Sequence, residues 1–288
     1  MAAYLEIEDG NPVWLSPDIW VVPGQNPEAS PGSPIRGQSN FVWARVHNKG
    51  TTDFENVRVS VFWADPSTMV LRSTANPIGY AFVDLAVGET KDVLVLTPWV
   101  PMPGQPAHVC LLAQAIHPAD PLPSPLPDEF QVAQQRQVAQ RNVTVVTLVA
   151  GGMMILPLTF GAPQRSNGKR INLQIMEDPE GVSPQLLDSL GIRGMSPARR
   201  DLVQVQFVAS ERCEFQDGLP NIEIRLKPGE LTATHIQIAA KEPFDGYATI
   251  HVVQEHDGKT IGGVTYLVIS SKEDKVRSDL SISKEVRS

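Results

Sequence analysis

Residues 38–64 read QSNFVWARVHNKGTTDFENVRVSVFWA, and this stretch decides the fold class. Two runs of alternating β-formers flank a polar turn at Asn48-Lys49-Gly50, a pattern that predicts a hairpin-like corner in an antiparallel sheet. In the second run Val57, Val59, Val61 and Trp63 share one face while Arg58 and Ser60 share the other, so a single face is expected to be buried. Slipping that register by one residue would put Arg58 into the core. The same framework returns at residues 92–98, 107–116 and 141–149.

Working outward, the first half lays out strands near residues 13–22, 39–47, 57–63, 78–85, 91–96, 107–116 and 141–148, the strand count of an immunoglobulin-type sandwich. Between the last two, Pro118, Pro121, Pro123, Pro125 and Pro127 forbid a ladder and predict a long, stiff surface loop, either a binding element or a plain crossover. Residues 130–140 read as a short helix or as the lead-in to the last strand. The second half shows strands near residues 153–160, 170–176, 202–209, 222–226, 233–239, 246–255 and 260–270. Val203, Val205 and Phe207 point inward, and Asp257-Gly258 supplies the positive-φ positions of a tight hairpin turn. A helical insertion falls near residues 183–200, with Ser183 as cap, Pro184 in the first turn and Gly191 closing it. The expected fold is all-β: two immunoglobulin-like antiparallel β-sandwich domains over residues 1–148 and 149–271, the second with a short helical insertion, then a disordered charged tail over 272–288.

A chain of 288 residues can give each domain its own core, and 42% hydrophobic with 19% charged residues is an ordinary globular composition. A formal charge of −8 without clustered Lys and Arg argues against a nucleic-acid partner. Cys110 and Cys213 fall in different halves, so no intradomain disulfide is expected, and Cys110 reads as a small buried hydrophobe. The start MAAYLEIEDGNPVW lacks a basic n-region and an apolar h-region, which implies a cytoplasmic start or non-classical export to the cell surface. The longest apolar run, residues 143–158, is broken by Gly151-Gly152 and Pro157, so no membrane insertion is expected.

The succession Arg45-Val46-His47-Asn48-Lys49-Gly50, Val57-Arg58-Val59-Ser60-Val61-Phe62, Leu85-Ala86-Val87-Gly88-Glu89, Pro98-Trp99 and Gly104 leading to His108-Val109-Cys110-Leu111-Leu112-Ala113 resembles the bacterial cell-adhesion-related domains of CARDB type. The resemblance covers roughly residues 14–146 and implies an immunoglobulin or fibronectin III architecture used for adhesion, spacing or interaction, without catalysis.

Catalytic signatures are absent: there is no GxSxG, no HExxH and no P-loop. The 6 histidines are scattered, and the odd separation of His251 and His256 puts them on opposite faces of a regular strand, so no metal site is expected. Asp120, Asp128 and Glu129 read as solvated loop acids. Neither enzyme activity nor a cofactor is expected. Phe41 and Trp43 protrude from a strand whose other face is already apolar, so they need cover from a loop, the other domain or a partner. Trp14, Trp20 and Trp99 are expected at core edges, and in the alternative reading an exposed Trp43 or Trp99 forms the stacking face of a carbohydrate module. With Pro121, Pro123 and Leu126 of the rigid loop, Phe41, Trp43 and Trp99 make up the candidate binding surface. The expected function is a structural or adhesive protein-interaction subunit of a larger bacterial assembly, engaging a protein or a second copy of the chain. The alternative is a carbohydrate-binding accessory module of a hydrolytic or surface system.

Overall fold

The two alternating runs of residues 38–64 do form long strands, β3 (Asn40–Asn48) and β4 (Phe54–Ala64), but in different sheets. The computed structural model describes residues 4–65, 67–102, 109–149, 151–163, 170–178, 180–209 and 218–271. In it β3 pairs antiparallel with β1 (Leu5–Glu6), β2 (Ile19–Pro23) and β6 (Thr90–Trp99). The opposing sheet runs β5 (Asn76–Leu85), β4, β7 (Cys110–Ile116) and β8 (Val138–Arg141). The expected hairpin-like corner is therefore an arch from one sheet to the other. Its Asn48 amide donates to the carbonyls of Thr52 and Ala86, both at 2.9 Å, and its Oδ1 accepts from the Gly50 N–H at 2.9 Å. Such a turn satisfies the same local groups whether the chain folds back or crosses over, so turn chemistry alone did not separate the two. Val42, Ala44 and Val46 meet Val57, Val59 and Val61 in the core between the sheets.

The chain changes sandwich at Asn142. The segment expected as one closing strand over residues 141–148 splits: β8 ends at Arg141, and β9 (Val143–Val149) joins the second sandwich parallel to β16 (Lys259–Ser271). The boundary thus lies near residue 142, not 148, and the second sandwich contains a mixed sheet. No turn residue marks the switch, because the backbone stays extended through it. The five-stranded sheet runs β13 (Asn221–Arg225), β11 (Arg170–Asp178), β15 (Tyr247–His256), β16 and β9. Opposite it stand β10 (Met153–Gly161), β14 (Leu231–Ala240) and β12 (Val203–Val208), with Leu158, Ile171, Ile236, Val252 and Tyr266 buried between. Asp257 at φ 53 and Gly258 at φ 71 close the β15–β16 hairpin as expected.

The outer face of the five-stranded sheet is covered as well. Helix α1 (Pro184–Ser189) contributes Leu186 and Leu187, followed by Leu190, and these pack with Trp14, Leu15, Tyr247, Val253 and Leu267. Ser183 Oγ accepts the Leu186 N–H at 3.2 Å, and Gly191 ends the helix at φ +75. Of the strand expected over residues 13–22, only Ile19 onward pairs in β2, while Trp14 and Leu15 cross to the second sandwich. Two glycines permit that crossing: a Cβ on Gly263 would lie 2.4 Å from the Trp14 ring, and one on Gly262 would lie 1.7 Å from the Thr68 carbonyl oxygen. Residues 130–140 supply both a 3₁₀ turn, Val132–Gln134, and the lead-in to β8. The tail expected over 272–288, and His108 and Cys213, lie outside the described residues.

Candidate functional site

Phe41 and Trp43 stand half-buried on the outer face of β3. Trp43 stacks on Trp20 of β2, with ring centroids 5.9 Å apart and planes 7° apart, and donates its indole N–H to the Pro27 carbonyl at 3.0 Å. Cover for this face comes from the neighbouring strand and the β2–β3 loop, and Leu96 of β6 remains 72% exposed. Trp99 is 5% exposed and in the core, 6.4 Å from Trp63, in keeping with the core-edge expectation, so its place on the candidate binding surface is corrected and it offers no stacking face. Trp99 lies in step with Val93 and Val95 on the inner face of β6, beyond the residues 91–96 expected as strand, and pairs with Asn40 across a bulge between Asn40 and Val42. Pro121, Pro123 and Leu126 are exposed, on the loop whose Leu122 and Phe130 pack against the opposite sheet, so the structure does not unite them with Phe41 and Trp43. The loop is tied down. Asp120, expected to be solvated, is buried, accepts the Leu5 N–H at 2.8 Å and pairs with Arg136. Asp128 accepts from the N–H and hydroxyl of Ser73 at 2.8 and 2.7 Å.

The most exposed aromatic pair was not among the sequence candidates. Tyr80 and Phe82 on the sheet-edge strand β5 are 55% and 59% exposed, in edge contact at 5.7 Å, and the Arg58 guanidinium sits 4.5 Å over the Tyr80 ring. β5 turns its small residues inward: a Cβ on Gly79 would lie 2.8 Å from Thr97 Oγ1 and 2.9 Å from Val95. The bulky residues must then face out. The signal was present in Gly79-Tyr80-Ala81-Phe82-Val83 as alternation of size, whereas an apolar-or-polar reading cannot orient a strand that is apolar on both faces.

Among the described residues a cleft of about 590 Å³ lies between residues 10–14 and the second sandwich. Trp14, His251, Asp178, Glu177 and Glu180 are on its walls. His251 Nδ1 lies 2.8 Å from Thr265 Oγ1 and Nε2 lies 3.4 Å from Asp178 Oδ2, while Trp14 Nε1–H donates to the same Thr265 oxygen at 2.9 Å. Burial lowers the His251 pKa, with the Asp178 carboxylate pulling the other way, so the ring is neutral at pH 7. Carboxylate, imidazole and hydroxyl stand in the order of an activated nucleophile. Yet Thr265 is fully buried beneath Trp14 and its oxygen is engaged, so no substrate reaches it. A shallower groove of about 280 Å³ lies between the outer face of β2–β3 and α1, lined by Trp20, Arg45, Gln185, Asp188 and Arg193.

One group among the described residues has metal-ligand spacing: Glu8, Asp18 and His47. Asp18 Oδ2 accepts the Glu8 N–H at 2.8 Å and lies 2.7 Å from His47 Nε2, while His47 Nδ1 is 2.8 Å from Thr90 Oγ1. Both ring nitrogens are engaged, so the cluster fastens the N-terminal segment to β3 and a metal would have to displace these bonds. His251 and His256 are not brought together: His256 lies beside Asp257 at 3.8 Å, although a bulge at Gln254/Glu255 falls between the two histidines.

No family model and no curated protein matches the chain. Among solved structures it is similar to CBD12 from CALX1.2, with a TM-score of 0.20 and 9% identity over 76% of each chain. It is also similar to red sea bream transglutaminase, with a TM-score of 0.22 and 10% identity over 89% of this chain and 32% of that one. Likenesses at these scores carry no argument about function, and the sandwich assignment rests on the strand pairing itself.

Proposed function

We propose that the protein is a non-catalytic, two-sandwich interaction module that docks a protein partner on the outer face of β4 and β5. The observation that carries this reading is the exposed Tyr80–Phe82 pair with Arg58 beside it. Tyr, Phe and Arg are the side chains that concentrate binding energy at protein interfaces, and two large aromatics left in water on one strand have no structural role to explain them. The CARDB-type likeness of residues 14–146 agrees with an adhesive or spacing role and forms part of the proposal, as does a bacterial assembly as its setting. The test is size and mass in solution, alone and with candidate partners, for wild type and a Tyr80→Ser/Phe82→Ser double variant. The reading expects a stoichiometric complex or a dimer that the double variant loses while keeping its thermal transition. A wild-type protein that stays monomeric with every partner, or a complex that the variant retains, refutes it.

A second reading, carbohydrate binding, is favoured by the groove in which Trp20 lies beside the hydrogen-bonding groups of Arg45, Gln185, Asp188 and Arg193. The stacking residue would be Trp20, not Trp99. A glycan array on which wild type and Trp20→Ala behave alike removes this reading.

A further inference from the structure

Arg141 is the last residue of β8, and only 4% of it is exposed. A guanidinium carries five N–H donors and a permanent charge. Two of its donors are accounted for: Nη1 donates to the Ile19 carbonyl and Nη2 to the Ser189 carbonyl at 3.2 Å. These bonds tie β2 and the end of α1 to the junction of the two sandwiches. Both partners are neutral. Among the described residues no carboxylate pairs with Arg141, in contrast to Arg45 and Arg136, which meet Asp92 and Asp120. Burial alone pushes its pKa down to about 9, which leaves it protonated at neutral pH. A buried charge with no counter-charge is one of the costliest arrangements a fold can hold.

The guanidinium borders a cavity of about 80 Å³, whose walls come from both sandwiches and from the residue that follows α1: Val21 and Ser33, Leu111, Val145 and Leu190. Thr144 lies in register with Tyr266 and shares the inner face of β9 with Val146, whereas Val143, Val145 and Leu190 wall this space, so the remaining guanidinium N–H groups are the charged donors beside it. Water occupies roughly 30 Å³ per molecule in the liquid, so the cavity holds a few waters or one small ion. Water would satisfy the donors, whereas an anion would also balance the charge.

We propose that this cavity is a binding site for a small oxyanion, held by the Arg141 guanidinium, and that its occupation fastens the two sandwiches together. The site takes free ions of carboxylate or phosphate type, because the space excludes anything as large as a peptide.

The test is calorimetric titration of the full chain with sodium formate, acetate and phosphate, at an ionic strength held constant with sodium chloride. Wild type is expected to give saturable one-to-one binding by at least one of them, with a matching rise in melting temperature. Arg141→Lys should abolish the heat, and Val145→Phe, which enlarges a side chain of the cavity wall, should weaken binding tenfold or more. If Arg141→Lys does not fold, Val145→Phe decides. Flat titrations with all three ions, or binding that Val145→Phe leaves unchanged, overturn the proposal.

Discussion

Replacing Asn142 should uncouple the two sandwiches, because its backbone groups and its side-chain NH2 all serve the crossing. Its backbone N–H donates to the Trp14 carbonyl at 2.9 Å and its carbonyl accepts from the Thr265 N–H at 3.0 Å. Its side-chain amide donates to the carbonyls of Ser67 at 2.8 Å and Gly263 at 2.7 Å, one in each sandwich. The residue is 2% exposed, so water does not replace what is lost. Asn142→Leu removes both donors and leaves two buried carbonyls short of a partner, at about 1–3 kcal/mol each, or about 2–6 kcal/mol together. Asn142→Asp adds a pH dependence. A carboxylate facing two carbonyls binds a proton more tightly in the folded state than in the unfolded chain, where its pKa is near 3.9. Its stabilising protonated form is therefore lost as pH rises, and the deficit of this variant should be smaller at pH 4.5 than at pH 7.5, while that of Asn142→Leu stays constant. Urea denaturation followed by tryptophan fluorescence measures both, with a single transition expected for wild type. A cost below about 0.5 kcal/mol for Asn142→Leu, which is the level of an ordinary surface change, would refute the assignment.

Gly263→Ala should destabilise by about 1–3 kcal/mol, because its methyl group would lie 2.4 Å from the Trp14 ring, and Trp14→Phe should restore part of the loss in the double variant. Asp9 is half-buried with Oδ1 unpartnered, and burial first, with Glu6 second, raises its pKa from 3.8 to about 7. Its contribution is full below pH 3.8 and is lost as pH rises toward 7, so Asp9→Asn should gain stability over wild type at pH 8 and not at pH 3.5 in matched denaturation curves. His251 has the opposite sign: its folded pKa lies below 6.5, so stability falls as pH drops below that value, and His251→Gln should flatten this acid limb. Cys110 is fully buried, with its thiol pushed up to about 12, so a thiol-specific reagent should leave it unmodified in the native protein and label it after unfolding.

What could be read from the chain follows from which interactions are local. Alternation in Val57, Val59 and Val61 fixes a strand and its buried face, and Asp257-Gly258 fixes a hairpin, because both signals are complete within a few residues. Asn48 fixes a turn but not the sheet that receives the next strand, and Arg141–Asn142 reads as continuous strand although the chain changes sandwich there. Those outcomes are set by partners far away in sequence: Trp14, Ser67 and Gly263 for Asn142, and Thr68 and Trp14 for the glycine pair of β16. The same rule governs the surface. Trp99 and Tyr80 are both aromatic residues on strands, and local pattern gives no reason to separate them. The first is buried because it lies in step with Val93 and Val95, and the close approach of Gly79 to Val95 and Thr97 turns the second into solvent. Size alternation within an apolar strand therefore carries surface information that polarity alternation lacks: where a strand meets its opposite sheet through glycine and alanine, its aromatic residues are turned to solvent.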